Sequence, residues 1–363
     1  MTASLLISHQ GALGDLLLNR PQAMNSLSLE MIRTLAQTLA AWQNAPDVHA
    51  VVIRSSLPKA FCAGGDIHFF HQVAHDGLQG GSALLEDFFT EEYALNHLIH
   101  HYQKPYIALM DGIVMGGGMG ITQSSAAGRI RIVTERTRMA MPEVNIGLFP
   151  DVGGGYFLSR LPGQIGTYLA LSGEIIGAAD ALYAGLADVF VPRKELSALL
   201  SMLGSLSNQQ YRQAIDAFAA PFATQINPEQ SVLAQQRALI DRHFAYNDVD
   251  SIIASLKEDQ DPFASKTLAA IQTRSPLMMS VALEQIRRSA KMTIADALRM
   301  ERTMVRRCFE HGEVVEGIRA LVIDKDLKPQ WRPASLQEVT PEMVAPFFAS
   351  AWPDDAHPLR HLK

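Results

Sequence analysis

Ile107–Gly120 reads IALMDGIVMGGGMG, an apolar run that passes an Asp-Gly turn and enters a loop where four of the five residues Gly116–Gly120 are glycine. A short apolar run bounded by turn residues reads as a buried strand, and the pattern after it predicts a helix continuing over Ile121–Ala127. The same succession occurs upstream, where Val51–Arg54 runs into Lys59–Ile67, KAFCAGGDI. Glycine has no Cβ to block a ligand, so both loops can turn main-chain N–H groups into open space. Working outward, Leu5–Ser8 and Ala12–Leu18 read as strands joined at Gln10-Gly11. Ser28 is a plausible N-cap for a helix whose apolar face is Leu29, Ile32, Leu35, Leu39 and Trp42. Glu86–His101 then reads as helix, Ile130–Val133 and Arg138–Met141 as strands, Gln164–Leu171 and Ala178–Ala184 as helices, and Asp188–Val191 as a strand. From about Lys194 onward, helix-period runs follow one another to the end. This order predicts an α/β fold: an α/β core over 1–200 followed by a mainly α-helical C-terminal region over 201–363.

The composition is that of a globular protein with ample core material, 48% hydrophobic and 19% charged over 363 residues. A formal charge of −6 argues against nucleic acid or an anionic membrane as the main partner. The two cysteines, Cys62 and Cys308, show no pairing signature, as expected in a reducing compartment. The first twenty residues lack both a basic start and an unbroken apolar segment, and no stretch approaches a membrane span. A cytoplasmic location is expected.

The chemistry concentrates in Met141–Gly155, MPEVNIGLFPDVGGG, where Glu143 and Asp151 stand eight residues apart in an otherwise apolar stretch. Carboxylates in apolar surroundings have raised pKa values, which suits them to act as acid, base or nucleophile near neutral pH. The competing reading is an N-capping aspartate and a buried, hydrogen-bonded glutamate. Likewise, one N–H from each glycine loop could form an oxyanion hole, or the glycines could serve packing or phosphate binding.

Other motifs lead elsewhere. Gly116–Gly120 does not have the G-x-G-x-x-G spacing of a dinucleotide site, and no Walker loop is present. His68, His71 and His75, and again His97, His100 and His101, form clusters without a metal-site signature, so solvated helix faces are expected. Cys62 has no adjacent base and reads as a small buried filler; Leu277-Met278-Met279 reads as core. Arg287, Arg288, Arg306 and Arg307 read as helix faces, with a phosphate contact as the alternative.

Taken together, Phe61–Ile67 (FCAGGDI), Asp111–Gly120 (DGIVMGGGMG) and Met141–Gly155 resemble the crotonase, or enoyl-CoA hydratase/isomerase, superfamily. The extended stretch PEVNIGLFPDVGGGYFLSRLPG, Glu91–Asn96 (EEYALN), Asp261-Pro262-Phe263 and Glu316–Asp326 resemble its thioester-hydrolase branch more narrowly. The resemblance runs from about Ile7 to about Val339. It implies a crotonase-like spiral of ββα units followed by an α-helical C-terminal region. The implied activity is release of 3-hydroxyisobutyrate from coenzyme A in valine breakdown; the alternative is an enoyl-CoA hydratase or isomerase.

By the same resemblance, the amides of Gly65 and Gly117 would hold the thioester oxygen, Glu143 would be the catalytic glutamate and Asp151 the second carboxylate. Glu92 would contact the substrate. Phe61, Cys62 and Ala63 would meet coenzyme A at its adenine end, and Asp66 joins them as a substrate contact. Hydratases carry a further glutamate three residues after the second oxyanion glycine, where this chain has Gly120; that favours the hydrolase branch. The segment Thr122–Gly128, TQSSAAG, departs from the hydrolase pattern in length. No cofactor or metal is expected beyond the coenzyme A of the substrate, and a homo-oligomer is a possible assembly.

Overall fold

The computed structural model describes residues 3–76, 82–123, 128–206 and 210–363. Residues 124–127, the middle of the departing segment, lie outside them. The chain forms two compact units of interleaved segments. Met1–Gly65, Leu95–Ala140 and Ile175–Gln235 make the first; Asp66–Ala94, Met141–Glu174 and Gln236–Lys363 make the second.

The first unit holds every strand among the described residues: β1 Leu5–Gln10, β2 Leu13–Leu18, β3 Ala50–Ser55, β4 Ala60–Cys62, β5 Tyr106–Met110, β6 Ile113–Met115, β7 Arg129–Val133, β8 Arg138–Ala140 and β9 Val189–Phe190. A six-stranded sheet has the order β1-β2-β3-β5-β7-β9, and a three-stranded sheet the order β4-β6-β8. Among the named strands of the described residues, the β1–β2 hairpin is the antiparallel pair and the other pairs are parallel; an isolated antiparallel bridge joins Met139 to Ile176. Each of β3, β5 and β7 in the large sheet is followed at once by a short strand of the small sheet, so one pattern repeats three times.

The central strands are apolar on both faces, as expected of a covered parallel sheet. Val52, Ile107, Leu109, Ile130 and Ile132 form one core with Leu199 and Leu203 of the helix Leu196–Ser205 and with Tyr211 and Ile215 of the helix Tyr211–Ala219. Burying an aliphatic side chain of this size contributes about 1.5–3 kcal/mol. The helix Leu29–Asn44 forms as its spacing predicts. The Ser28 hydroxyl accepts from the Met31 N–H, and Ile32, Leu35, Leu39 and Trp42 are buried.

Of the helix expected over Ile121–Ala127, residues 124–127 lie outside the described residues, and 121–123 form a turn instead. Among the described residues the helical turn is Gly117–Gly120, so the glycines form it rather than precede it. The Thr122 hydroxyl donates to the Gly118 and Met119 carbonyls. Gln123 donates to the Leu186 carbonyl and accepts from Arg131. A four-residue turn has little macrodipole, so any anion binding here rests on individual N–H groups.

The second unit is helical. Phe69, Phe70, Phe88, Phe89 and Phe309 form an aromatic cluster that includes a T-shaped Phe70–Phe88 pair at 4.7 Å, and Tyr93 joins it against Phe89. Arg302 is buried and donates to Thr90 and Glu86 of the helix Ala83–His100. Among the described residues no helix is long and apolar enough to cross a membrane.

Candidate active site

In the first unit the two glycine loops meet main chain to main chain. A Cβ on Gly118 would stand 2.5 Å from the Cys62 carbonyl oxygen. One on Gly64 (φ +104°) would stand 3.3 Å from the Met115 carbonyl oxygen and 3.7 Å from the Gly117 nitrogen. Only glycine tolerates this approach. The flanking groups are satisfied within the unit: Gly116 N–H donates to Ala140, Ala63 N–H to Met24, and the Gly64 carbonyl accepts from Leu27. The N–H groups of Gly65 and Gly117 have no protein acceptor among the described residues. Two unspent amides on adjoining loops are the donor set an oxyanion needs.

Phe61 and Cys62 are buried, so the main chain is what they can offer a ligand. The Phe61 carbonyl already accepts from Asn25, whose side chain also donates to Ser55 and accepts from the Arg20 N–H. Asn25, in a left-handed turn (φ +57°), therefore anchors the first loop. Asp66 caps the helix Ile67–Asp76 through Phe69 N–H.

The second unit gathers the carboxylates. Pro142 leads Glu143 into the short 3₁₀ turn Glu143–Ile146, which Gly147 (φ +69°) ends. Asp151 sits where Val152 and Gly153 both take positive φ, +54° and +84°. Tyr93 Oη donates to Asp151 Oδ2 at 2.8 Å. Glu301 accepts from Gly153 N–H at 2.7 Å and Gly155 N–H at 3.0 Å. Gln285 Nε2 donates to Glu301 (3.0 Å) and to the Pro150 carbonyl (2.7 Å). Glu92, Glu143 and Asp151 are 2%, 6% and 5% exposed, so water screens them little. Glu143 Oε2 and Glu92 Oε1 are buried with no hydrogen-bond partner among the described residues.

Burial, reinforced by the charge of Asp151, holds the Glu92 and Glu143 carboxyls well above the ordinary carboxylate range. Burial also pushes Asp151 up to about 6, against the Tyr93 hydrogen bond that favours its charged form. Glu301 is pushed up to about 8 by burial, opposed by the two amides. Neighbouring acids of this kind share protons, and near neutral pH the set holds both ionised and protonated carboxyls.

Two predictions follow from these environments. Tyr93→Phe removes a donor to ionised Asp151, so its pKa rises and the acid limb of the kcat/KM profile moves to higher pH; an unmoved limb would detach Tyr93 from the reaction. For stability, an acid with a raised folded-state pKa contributes fully below the unfolded value of 4.5, and that contribution is lost as pH rises. The thermal midpoint of Glu92→Gln should thus gain on wild type from pH 5 to pH 9. A constant difference across that range would contradict the buried-charge account.

The structure brings Glu92, Glu143 and Asp151 into one unit and Gly65 and Gly117 onto adjoining loops of the other. The sequence reading had missed Tyr93, Gln285, Glu301 and Asn25. The available signal was polarity at helix positions flanked by core: Gln285 between Ala282, Leu283 and Ile286, and Glu301 between Leu298 and Met304. Arg288 pairs with Glu284, and Arg306 and Arg307 pair with Glu310, while Arg287 donates to the Tyr246 and Asn247 carbonyls. No three His, Cys, Asp or Glu side chains among the described residues could hold a metal ion.

A family model described as enoyl-CoA hydratase/isomerase matches residues 13–348. The 3-hydroxyisobutyryl-CoA hydrolase, mitochondrial, of Xenopus laevis is 41% identical over 349 residues, 95% of this chain and 88% of that protein. The protein of the same name from Rattus norvegicus is 39% identical over 96% of this chain and 89% of its own. Among solved structures, a carnitinyl-CoA dehydratase from Mycobacterium thermoresistibile superposes with a TM-score of 0.86 at 39% identity, covering 100% of both chains. An enoyl-CoA hydratase from Rhodobacter sphaeroides 2.4.1 gives 0.85 at 36% identity, over 96% of this chain and 98% of its own. The chain belongs to the enoyl-CoA hydratase/isomerase family, and its repeated long-strand, short-strand pattern is the family's spiral. Within that family, its sequence relatives from Xenopus and Rattus carry the name of a thioester hydrolase.

Proposed function

We propose that the chain hydrolyses the thioester of 3-hydroxyisobutyryl-CoA, releasing 3-hydroxyisobutyrate and coenzyme A. The observation that carries this reading is Glu143: a buried carboxyl whose Oε2 has no partner among the described residues, beside a second acid, Asp151, that Tyr93 orients. The relatives' name supports the substrate.

In this reading the Gly65 and Gly117 amides receive the thioester oxygen as it gains charge. The ionised Glu143 either attacks the carbonyl carbon or takes a proton from the attacking water. The carbon–sulfur bond breaks and the thiolate leaves, and water cleaves the acyl-enzyme anhydride if one has formed. Asp151, with Glu92, holds the substrate's 3-hydroxyl. A site built around a hydroxyl disfavours acyl chains without one, because its buried polar groups would be left unpaired.

The second reading is hydration of an enoyl-CoA, the activity for which the solved relative from Rhodobacter sphaeroides 2.4.1 is named. Against it stands Gly120, where the family resemblance places the hydratases' other glutamate; addition of water to a double bond then lacks half of its acid/base pair. A thiol-release assay decides. Free thiol is expected from 3-hydroxyisobutyryl-CoA, with enoyl absorbance of crotonyl-CoA unchanged. Loss of that absorbance without thiol release would replace the hydrolase reading with the hydratase one.

A further inference from the structure

We infer that Glu301, braced by Gln285, is a positioning residue that sets the aim of Asp151. The inference rests on the hydrolase reading for its kinetic consequence, but its structural content stands by itself. Pro150–Gly155 carries two consecutive positive φ values, and the first belongs to Val152, a β-branched residue that disfavours this region. Backbone strain of this kind persists only where surrounding groups over-determine it.

Glu301 supplies that constraint. Its two carboxylate oxygens accept the N–H groups of Gly153 and Gly155, which flank the turn immediately after Asp151. One Gln285 amide group then ties the Pro150 carbonyl, immediately before Asp151, to the same carboxylate. Asp151 is thus bracketed on both sides by a single buried polar pair. Gly155 reinforces the fit, since a Cβ there would stand 2.9 Å from the Gln285 amide nitrogen and 2.5 Å from the Ser289 hydroxyl. Glu301 and Gln285 are both 0% exposed, and the described contacts of the Glu301 carboxylate are all to this loop and its brace. Nothing in the proposed chemistry consumes Glu301, so its burial needs another reason, and holding the loop provides it.

Glu301→Gln keeps the shape but leaves one oxygen where two acceptors are needed, and its amide opposes an N–H. The expected result is a kcat lower by about 10-fold or more with KM within about threefold, because the loop's aim is disturbed while coenzyme A binding is not. A double-mutant cycle separates positioning from general support. If Glu301 acts through Asp151, adding Glu301→Gln to Asp151→Asn costs less than about threefold further, whereas independent roles multiply. Multiplying effects, or a single variant within twofold of wild type, would overturn the inference. Should wild type release no thiol from any 3-hydroxyacyl-CoA, the proposed function fails instead. The crystal structure of Glu301→Gln then judges the inference: an opened Asp151–Tyr93 hydrogen bond supports it, and an unchanged loop overturns it.

Discussion

Glu143→Gln is expected to lower the rate of thiol release from 3-hydroxyisobutyryl-CoA by about 1,000-fold, with product coenzyme A binding within a few-fold of wild type. The substitution changes two properties and leaves the rest. An amide neither attacks a carbonyl nor accepts a proton from water at neutral pH, so both versions of the chemistry stop. Its volume matches that of the acid, and Oε2 makes no hydrogen bond among the described residues that the change would remove. The pH profile of wild type provides the companion test. Burial and Asp151 hold the Glu143 carboxyl above its ordinary range, so the active, ionised form is lost on acidification earlier than for a solvated carboxylate. The acid limb should lie clearly above the ordinary glutamate value of 4.5. Turnover of Glu143→Gln within tenfold of wild type would remove this residue from the reaction.

Asp151→Asn is expected to reduce turnover by about 100-fold on 3-hydroxyisobutyryl-CoA and by clearly less on isobutyryl-CoA, which has no 3-hydroxyl. The asymmetry follows from the assigned task. If Asp151 accepts the substrate hydroxyl, its loss matters only where a hydroxyl is present. The charge it carries also raises the pKa of Glu143, so its removal lowers that pKa and moves the acid limb to lower pH. This shift is opposite in sign to that expected of Tyr93→Phe, and the two variants measured together test whether one coupled pair governs the profile. Equal losses on the two substrates would show that Asp151 serves the chemical step rather than the hydroxyl.

Much of this molecule is local in origin. The glycines at 64, 116 and 118 have to be glycine because the backbone turns through positive φ or two main chains touch there, and such requirements leave a mark at the positions themselves. Period-two and period-3.6 patterns likewise exposed the strands and the helix Leu29–Asn44. Apolar and small residues promise helix over Ile121–Ala127, whereas 121–123, the part among the described residues ahead of 128, form a turn. There the Gln123 side chain is engaged by Leu186 and Arg131, contacts that no local pattern announces.

From the sequence by itself came the family, the two amide-presenting loops and the acids at 92, 143 and 151, since each lies within a short motif whose spacing is set by one turn or one helix. Only the tertiary structure decided how Asp151 is held. Tyr93, Gln285 and Glu301 reach its loop from 58, 135 and 148 residues away along the chain. Helix periodicity says that such a position is buried, but not what it faces. The raised pKa values belong to the same category, because removal from water is a property of the packed whole and not of any stretch of residues.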